Sequence, residues 1–172
     1  MFARTKAAWL AAPICAALLV AGCGGGSSGA GNSSTSTAPA GPITIKTVTG
    51  RDGTYLTDLS GRAIYMWLGD DARKSNCTSG CAIAWPPVVT GGAPRASGVA
   101  RAANLGTIRR SDGPRQVTYK GHPLYYFEVD SGPGTTKGQG SGSFGARWWL
   151  VAPSGAAITV NGNSSVAPPV AY

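Results

Sequence analysis

Histidine, acidic residues and sulfur are scarce in this chain. Its 172 residues include one histidine, seven Asp plus Glu, two Met and four Cys, against 15 Lys plus Arg. With one histidine, a nucleophile–base pair has only His122 to draw on, and a zinc site is short of ligands. His122 stands before Pro123 at the start of an apolar segment, the place of a turn residue with a satisfied ring nitrogen. Serines abound only in loop-like stretches. Glu128, Asp130 and Asp70-Asp71 meet only if the fold brings them together, which their spacing does not fix. No catalytic activity, cofactor or metal site is therefore expected. No basic helix and no aromatic-interleaved RNA motif occurs, so nucleic acid is not an expected partner. After residue 22 there is no long apolar run, and nowhere beyond it a sustained helical period.

What the chain does have begins with a leader. Arg4 and Lys6 precede an apolar stretch from Ala7 to Val20, of signal-peptide length and short for a membrane span. It ends in Val20-Ala21-Gly22-Cys23, which resembles the bacterial lipobox. The resemblance implies removal of residues 1–22 as a signal peptide and a diacylglyceryl group, of palmitate type, on Cys23. Two acyl chains suffice for stable anchoring. The expected location is the cell membrane, lipid-anchored, on the extracytoplasmic face. Residues 23–42 are Gly, Ser, Thr, Ala, Asn and Pro around that cysteine, too polar to repay the entropy of ordering, and read as a flexible tether. Loss of Arg4 and Lys6 lowers the formal charge from +8 to +6. A basic domain beside an anionic envelope is drawn to acidic lipid or wall polymer.

The rest is organised by a pattern that occurs twice. Tyr65-Met66-Trp67-Leu68-Gly69-Asp70 and Tyr125-Tyr126-Phe127-Glu128-Val129-Asp130 both read Tyr, any residue, aromatic, any two, Asp. They lie 60 positions apart, and upstream Thr47 aligns with Thr107, Asp52-Gly53 with Asp112-Gly113, and Gly61 with Gly121, without a gap. Such an internal repeat is a pair of equivalent units packed on each other. Ile43–Val48 alternates apolar and polar residues, Arg51-Asp52-Gly53 is a turn signal, Tyr55–Asp58 a short strand, and Ala63–Trp67 a third. The second copy redraws this meander from Leu105 to Phe127. Trp148–Val151 and Ala157–Val160 are further strands, and residues 88–104 are a Gly/Ala/Pro/Ser connector. The expected fold is all-β: two meander repeats, about 43–90 and 104–152, forming one small sandwich- or barrel-like domain over 43–160. A short helical turn falls near Cys81, and 161–172 is a loose tail.

Within a strand, Tyr65 and Trp67 share a face, and an Asp at the strand end is placed to accept turn amides. The motif is therefore either structural, an aromatic core with an Asp turn, or a ligand shelf. The candidate ligand-binding set is Tyr65, Trp67, Asp70, His122, Tyr125, Phe127 and Asp130. Cys77 and Cys81, the two cysteines left after Cys15 and Cys23, sit in an oxidising compartment. One helical turn brings them within disulfide range, so a structural disulfide is expected.

Gly61-Arg62-Ala63-Ile64-Tyr65, the two Tyr/aromatic/Asp motifs, Cys77-x-x-x-Cys81, Trp85-Pro86-Pro87, Gly121-His122-Pro123-Leu124-Tyr125 and Lys137-Gly138-Gln139-Gly140 together resemble the bacterial lipoproteins of the Tyr-x-(Phe/Trp/Tyr)-x-x-Asp motif, also called the secreted repeat of unknown function. The resemblance covers about 45–152, with Ile64 where Leu is usual and Met66 where Thr or a similar residue is common. It implies location and architecture, and no chemistry. The expected function is a surface-tethered, non-enzymatic binding module for a wall glycan, a small aromatic molecule or another envelope protein. The alternative is an envelope redox or metal/haem-handling accessory that uses Cys77, Cys81, His122, Met66 and the acidic strand ends.

Overall fold

The computed structural model describes residues 41–159. The leader, Cys23, the tether up to Ala40 and the tail from Val160 lie outside the described residues. Eight strands and three short helical turns follow one another: β1 (Thr44–Gly50), β2 (Gly53–Thr57), β3 (Tyr65–Trp67), α1 (Gly80–Ala84), β4 (Arg95–Ala96), a 3-10 turn (Ala102–Asn104), β5 (Leu105–Arg109), β6 (Arg115–Tyr119), β7 (His122–Pro123), a 3-10 turn (Ser143–Gly145) and β8 (Trp148–Leu150). They form three small sheets, β2-β1-β4, β3-β8 and β5-β6-β7, and not a closed barrel. Among the described residues no helix is long and apolar enough to cross a membrane.

The two hairpins are built alike, with a compensated slip. Thr47 pairs with Leu56 and Thr107 with Val117, so the offset is 60 on the first strand and 61 on the second. The β5–β6 turn holds one residue more than the β1–β2 turn. The next turn restores the offset: Thr57 pairs with Ala63 across five residues, Thr118 with Pro123 across four. The ungapped alignment is corrected here. Strand side chains alternate with period 2, so an uncompensated slip would turn core residues outward.

The third strand of each meander stays on its own hairpin only briefly, at Thr57–Ala63 and Thr118–Pro123, where Ile64 N donates to Leu56 O and Leu124 N to Val117 O. Past Ile64 and Leu124 the chain leaves its own hairpin and pairs with the other half. Tyr65 and Tyr125 exchange both backbone hydrogen bonds, at 2.8 and 2.9 Å. β3 then pairs with β8 (Tyr65 with Leu150, Trp67 with Trp148), while Tyr125 pairs with Pro87. Val88 N donates to Leu124 O and Val151 N to Ile64 O. Trp85-Pro86-Pro87-Val88 is thus the counterpart of Trp148-Trp149-Leu150-Val151. The prolines hide this strand-like segment from propensity rules, and it is tolerated because few of its amides are needed for pairing. The connector contributes too: Arg95–Ala96 lies parallel to β1 beside Thr44–Ile45.

Because the crossing strands run through the middle, both their faces are buried. One face (Tyr65, Trp67 and Tyr125, with the cross-strand partners Trp148 and Leu150) enters an aromatic core with Trp85 and the disulfide. The opposite face (Ile64, Met66, Leu124 and Val151) enters an aliphatic core with Ile45, Leu56, Val88 and Val117. Period-2 geometry thus supplies two cores from one pair of strands.

Candidate functional site

The repeated motif forms a reciprocal latch. Tyr65 Oη donates to Asp130 Oδ2 at 2.7 Å, and Tyr125 Oη donates to Asp70 Oδ2 at 2.6 Å. Each tyrosine closes on the carboxylate of the other repeat. The second oxygen of each Asp serves its own loop: Asp70 Oδ1 accepts Asn76 N and Asp130 Oδ1 accepts Lys137 N, both at 2.8 Å. The strand-end role of the Asp is therefore joined to a cross-repeat one that sequence spacing does not show. Burial pushes the Asp70 carboxyl up to about 6, opposed by the Tyr125 hydroxyl, the Asn76 amide and the Arg110 charge. Asp130 is likewise raised by burial, against the Tyr65 hydroxyl and the Lys137 amide. Burial and the adjoining carboxylates raise both phenols, which stay protonated as donors.

The reciprocal bonds relate the two repeats by a pseudo-two-fold, and the aromatics stack across it. Trp85 and Trp148 lie parallel with centroids 3.8 Å apart. Trp67 stacks on Trp148 at 5.2 Å and Phe127 on Trp85 at 4.2 Å. Tyr65 meets Trp85 edge-on and Tyr125 meets Trp148 edge-on. Tyr65, Trp67 and Tyr125 are buried, and Phe127 is partly buried against them. These candidate residues are the interior that joins the repeats. His122 is half-buried in β7, apart from the latch hydrogen bonds, with its pKa lowered by burial.

Cys77 and Cys81 are disulfide-bonded, with a Cα separation of 5.2 Å. They do not share a helical face: α1 begins at Gly80, after Ser79 at φ 51°, and Cys77 precedes it. The bond ties an irregular loop to the first turn of α1, whose Cys81 carbonyl accepts Trp85 N at 2.8 Å. Arg110, which composition alone reads as one more scattered cation, holds that loop from beneath. Only 5% exposed, it donates to Asp112, Ser75 Oγ, Gln116 Oε1 and the Cys77 carbonyl, at 2.8–3.1 Å. Ser75 Oγ in turn contacts Tyr125 Oη at 2.7 Å. In the first repeat Asp52 instead accepts directly from Thr136 Oγ1, and Gly50 stands where the second has Arg110. The extra residue in the second hairpin turn marks this corner as different, but its compensation in the next turn hides it in an ungapped alignment.

Two surface clefts, of about 390 and 370 Å3, meet at Asn104 and Lys120. Arg101, Pro153 and Ser154 line the first; Arg73, Gly106, Thr107 and Gly121 line the second. The buried Tyr119 hydroxyl fixes the walls, accepting from Arg101 N and donating to Pro153 O, both at 2.9 Å. None of these residues belongs to the sequence-derived candidate set.

The model of the family described as "Secreted repeat of unknown function" matches residues 46–89 and 106–152, one copy on each half of this architecture. The chain belongs to that family. The two matched spans are the two halves joined by the latch. No curated protein and no solved structure gives a significant match. Family membership places this secreted repeat protein outside the cytoplasm and assigns it no activity.

Proposed function

We propose that this secreted repeat protein is a non-enzymatic binding module of the cell envelope, held at the membrane by lipid on Cys23, and that its ligand is anionic. The supporting observation is how the domain distributes its charge. Asp52, Asp58, Asp70, Asp71, Asp112 and Asp130 are all engaged in internal hydrogen bonds or ion pairs. Among the described residues only Lys74 and Arg110 pair with a carboxylate. Arg51, Arg73, Arg95, Arg101, Arg109, Arg115 and Lys120 are exposed. Six of the seven acidic side chains are engaged in turns and latches, the seventh, Glu128, being exposed, and most of the positive charge faces solvent. Such a field draws polyanions and acidic surfaces.

The residues behind a redox or metal reading do not converge. The two cysteines are closed on each other, and among the described residues no group of three or more His, Cys, Asp or Glu gathers. The test is a titration of the purified domain with anionic and neutral glycans, acidic vesicles, copper, zinc and haem at low and high salt. Anionic ligands should bind, and more weakly as salt screens the charges. Binding of a neutral glycan, a metal or haem with none to any anion would refute the proposal.

A further inference from the structure

The Lys120-Gly121 turn is built against its own conformational preference. It links β6 to β7 with two residues, Tyr119 pairing with His122. Both turn residues have positive φ, 49° and 84°. Two-residue hairpins of this kind favour Asn-Gly, because asparagine tolerates the left-handed region; the stem of Lys120 packs over Gly155. The first repeat makes the corresponding turn with one residue more. It has Ser60-Gly61 there, with only the glycine at positive φ. Arg73, in the loop that packs on this turn, is also left-handed (φ 60°), and its amide donates to Gly121 O at 3.1 Å. Its pseudo-equivalent is Pro133, which packs on Gly61. Two cations in strained conformations thus occupy one side of the pseudo-two-fold, and two neutral residues occupy the other. Strain of this sort persists where the surroundings impose it, and it gathers at functional positions.

Lys120 lines both clefts, with Arg101 in the wall of the first and Arg73 in the wall of the second. No carboxylate lines them. The walls are preorganised by the Tyr119 hydroxyl and by Lys120 N, which donates to Asn104 O at 2.7 Å. Of the exposed large apolar side chains (Leu59, Leu68, Ile83, Val99, Val129, Phe144), Val99 alone lines this surface. A bilayer-inserting face would bring several together.

We infer that the joined clefts around Lys120 are a binding groove for a linear phosphodiester chain, with Arg101, Lys120 and Arg73 contacting successive phosphates and Asn104 bonding the linking groups. This rests on the anionic-ligand reading above and names its site and ligand class.

The test uses the full mature chain and Lys120→Asn, a change that suits the turn while removing the charge. Arg101→Gln is a second groove variant, and Arg51→Gln, on the β1–β2 turn, removes the same charge elsewhere. Poly(glycerol phosphate) oligomers, inorganic phosphate and phosphatidylglycerol vesicles are titrated at fixed salt, with melting recorded for each variant. Lys120→Asn gives up the stem's packing on Gly155 but suits the turn, so it should melt within a few degrees of the parent yet bind oligomers at least tenfold more weakly. Arg101→Gln should also weaken binding, Arg51→Gln should stay within about twofold, and inorganic phosphate should bind far more weakly than oligomer. Equal losses in Lys120→Asn and Arg51→Gln would overturn the groove and leave the general anionic reading standing. Lys120-dependent binding of vesicles but not oligomers would overturn the polymer in favour of a membrane. If the parent binds no anion at all, both readings fall together.

Discussion

The reciprocal latch predicts that Tyr65 is energetically coupled to Asp130, 65 positions away, and not to Asp70 in its own motif. Tyr65 is fully buried and donates at 2.7 Å to a carboxylate. Tyr65→Phe removes one charge-assisted hydrogen bond and should cost about 1.5–3 kcal/mol. Asp130→Ala removes the same bond and strands the buried phenol, so it should cost about 2–4 kcal/mol. The Lys137 amide it also releases belongs to an exposed residue and finds water. Once the carboxylate is gone the hydroxyl has nothing to lose, so the double variant should cost about as much as Asp130→Ala alone. That is a coupling equal to the cost of Tyr65→Phe, about 1.5–3 kcal/mol. Tyr125 with Asp70 should couple by less, about 1 kcal/mol, because Asp70 is more exposed. The crossed pair Tyr65→Phe with Asp70→Ala should be additive within about 0.5 kcal/mol. Urea unfolding of the four singles and three doubles measures this, and each kcal/mol should move the melting temperature by roughly 3–6 °C in a domain of this size. Stronger coupling within a motif than between motifs would refute the latch. So would an Asp→Ala variant more stable than the parent, which would instead signal carboxylates held against each other for a ligand.

Three further expectations concern the surroundings of the latch. Arg110→Ala should destabilise by about 3–5 kcal/mol, and Arg110→Lys should recover little of it, because an ammonium cannot fill five guanidinium hydrogen bonds; recovery by Lys in chemical denaturation would show that charge alone matters. Trp148→Phe should cost at least about 1 kcal/mol more than Trp67→Phe, since the Trp148 Nε1–H donates to Ser143 O at 2.9 Å while the Trp67 indole N–H has no acceptor among the described residues and its counterpart is already Phe127; equal melting shifts would contradict this. The Asp70 carboxyl rises from 3.8 to about 6, so the folded state holds its proton more tightly. Its contribution is full below about pH 4 and is lost as pH rises through 6, by about 1–2 kcal/mol after allowance for solvent access. His122, whose pKa is lowered, acts with the opposite sign. The stability of the parent relative to Asp70→Asn should therefore fall between pH 4 and 7, and a relative rise would overturn the assignment.

Much of this was decided locally and was legible along the chain. Alternating β-branched residues and Asp-Gly turns specified the hairpins, since strand period and positive φ are properties of a few neighbouring residues. The repeat announced two equivalent halves. Cys77 and Cys81 were close enough in sequence for their bond to follow from compartment and reach. Partner choice was different. That Tyr65 bonds Asp130 and Tyr125 bonds Asp70, that Trp85-Pro86-Pro87 serves as a strand, and that Arg110 is buried all depend on which half each crossing strand joins. A side chain's face follows from its position in a strand, but its partner depends on packing between residues 60 or more apart. The Lys120 turn lies between these cases. Its Lys-Gly sequence and the substitutions relative to the first repeat are visible in the chain, but they acquire meaning only when the fold places Lys120 in the walls of two clefts, with Arg101 beside one and Arg73 beside the other.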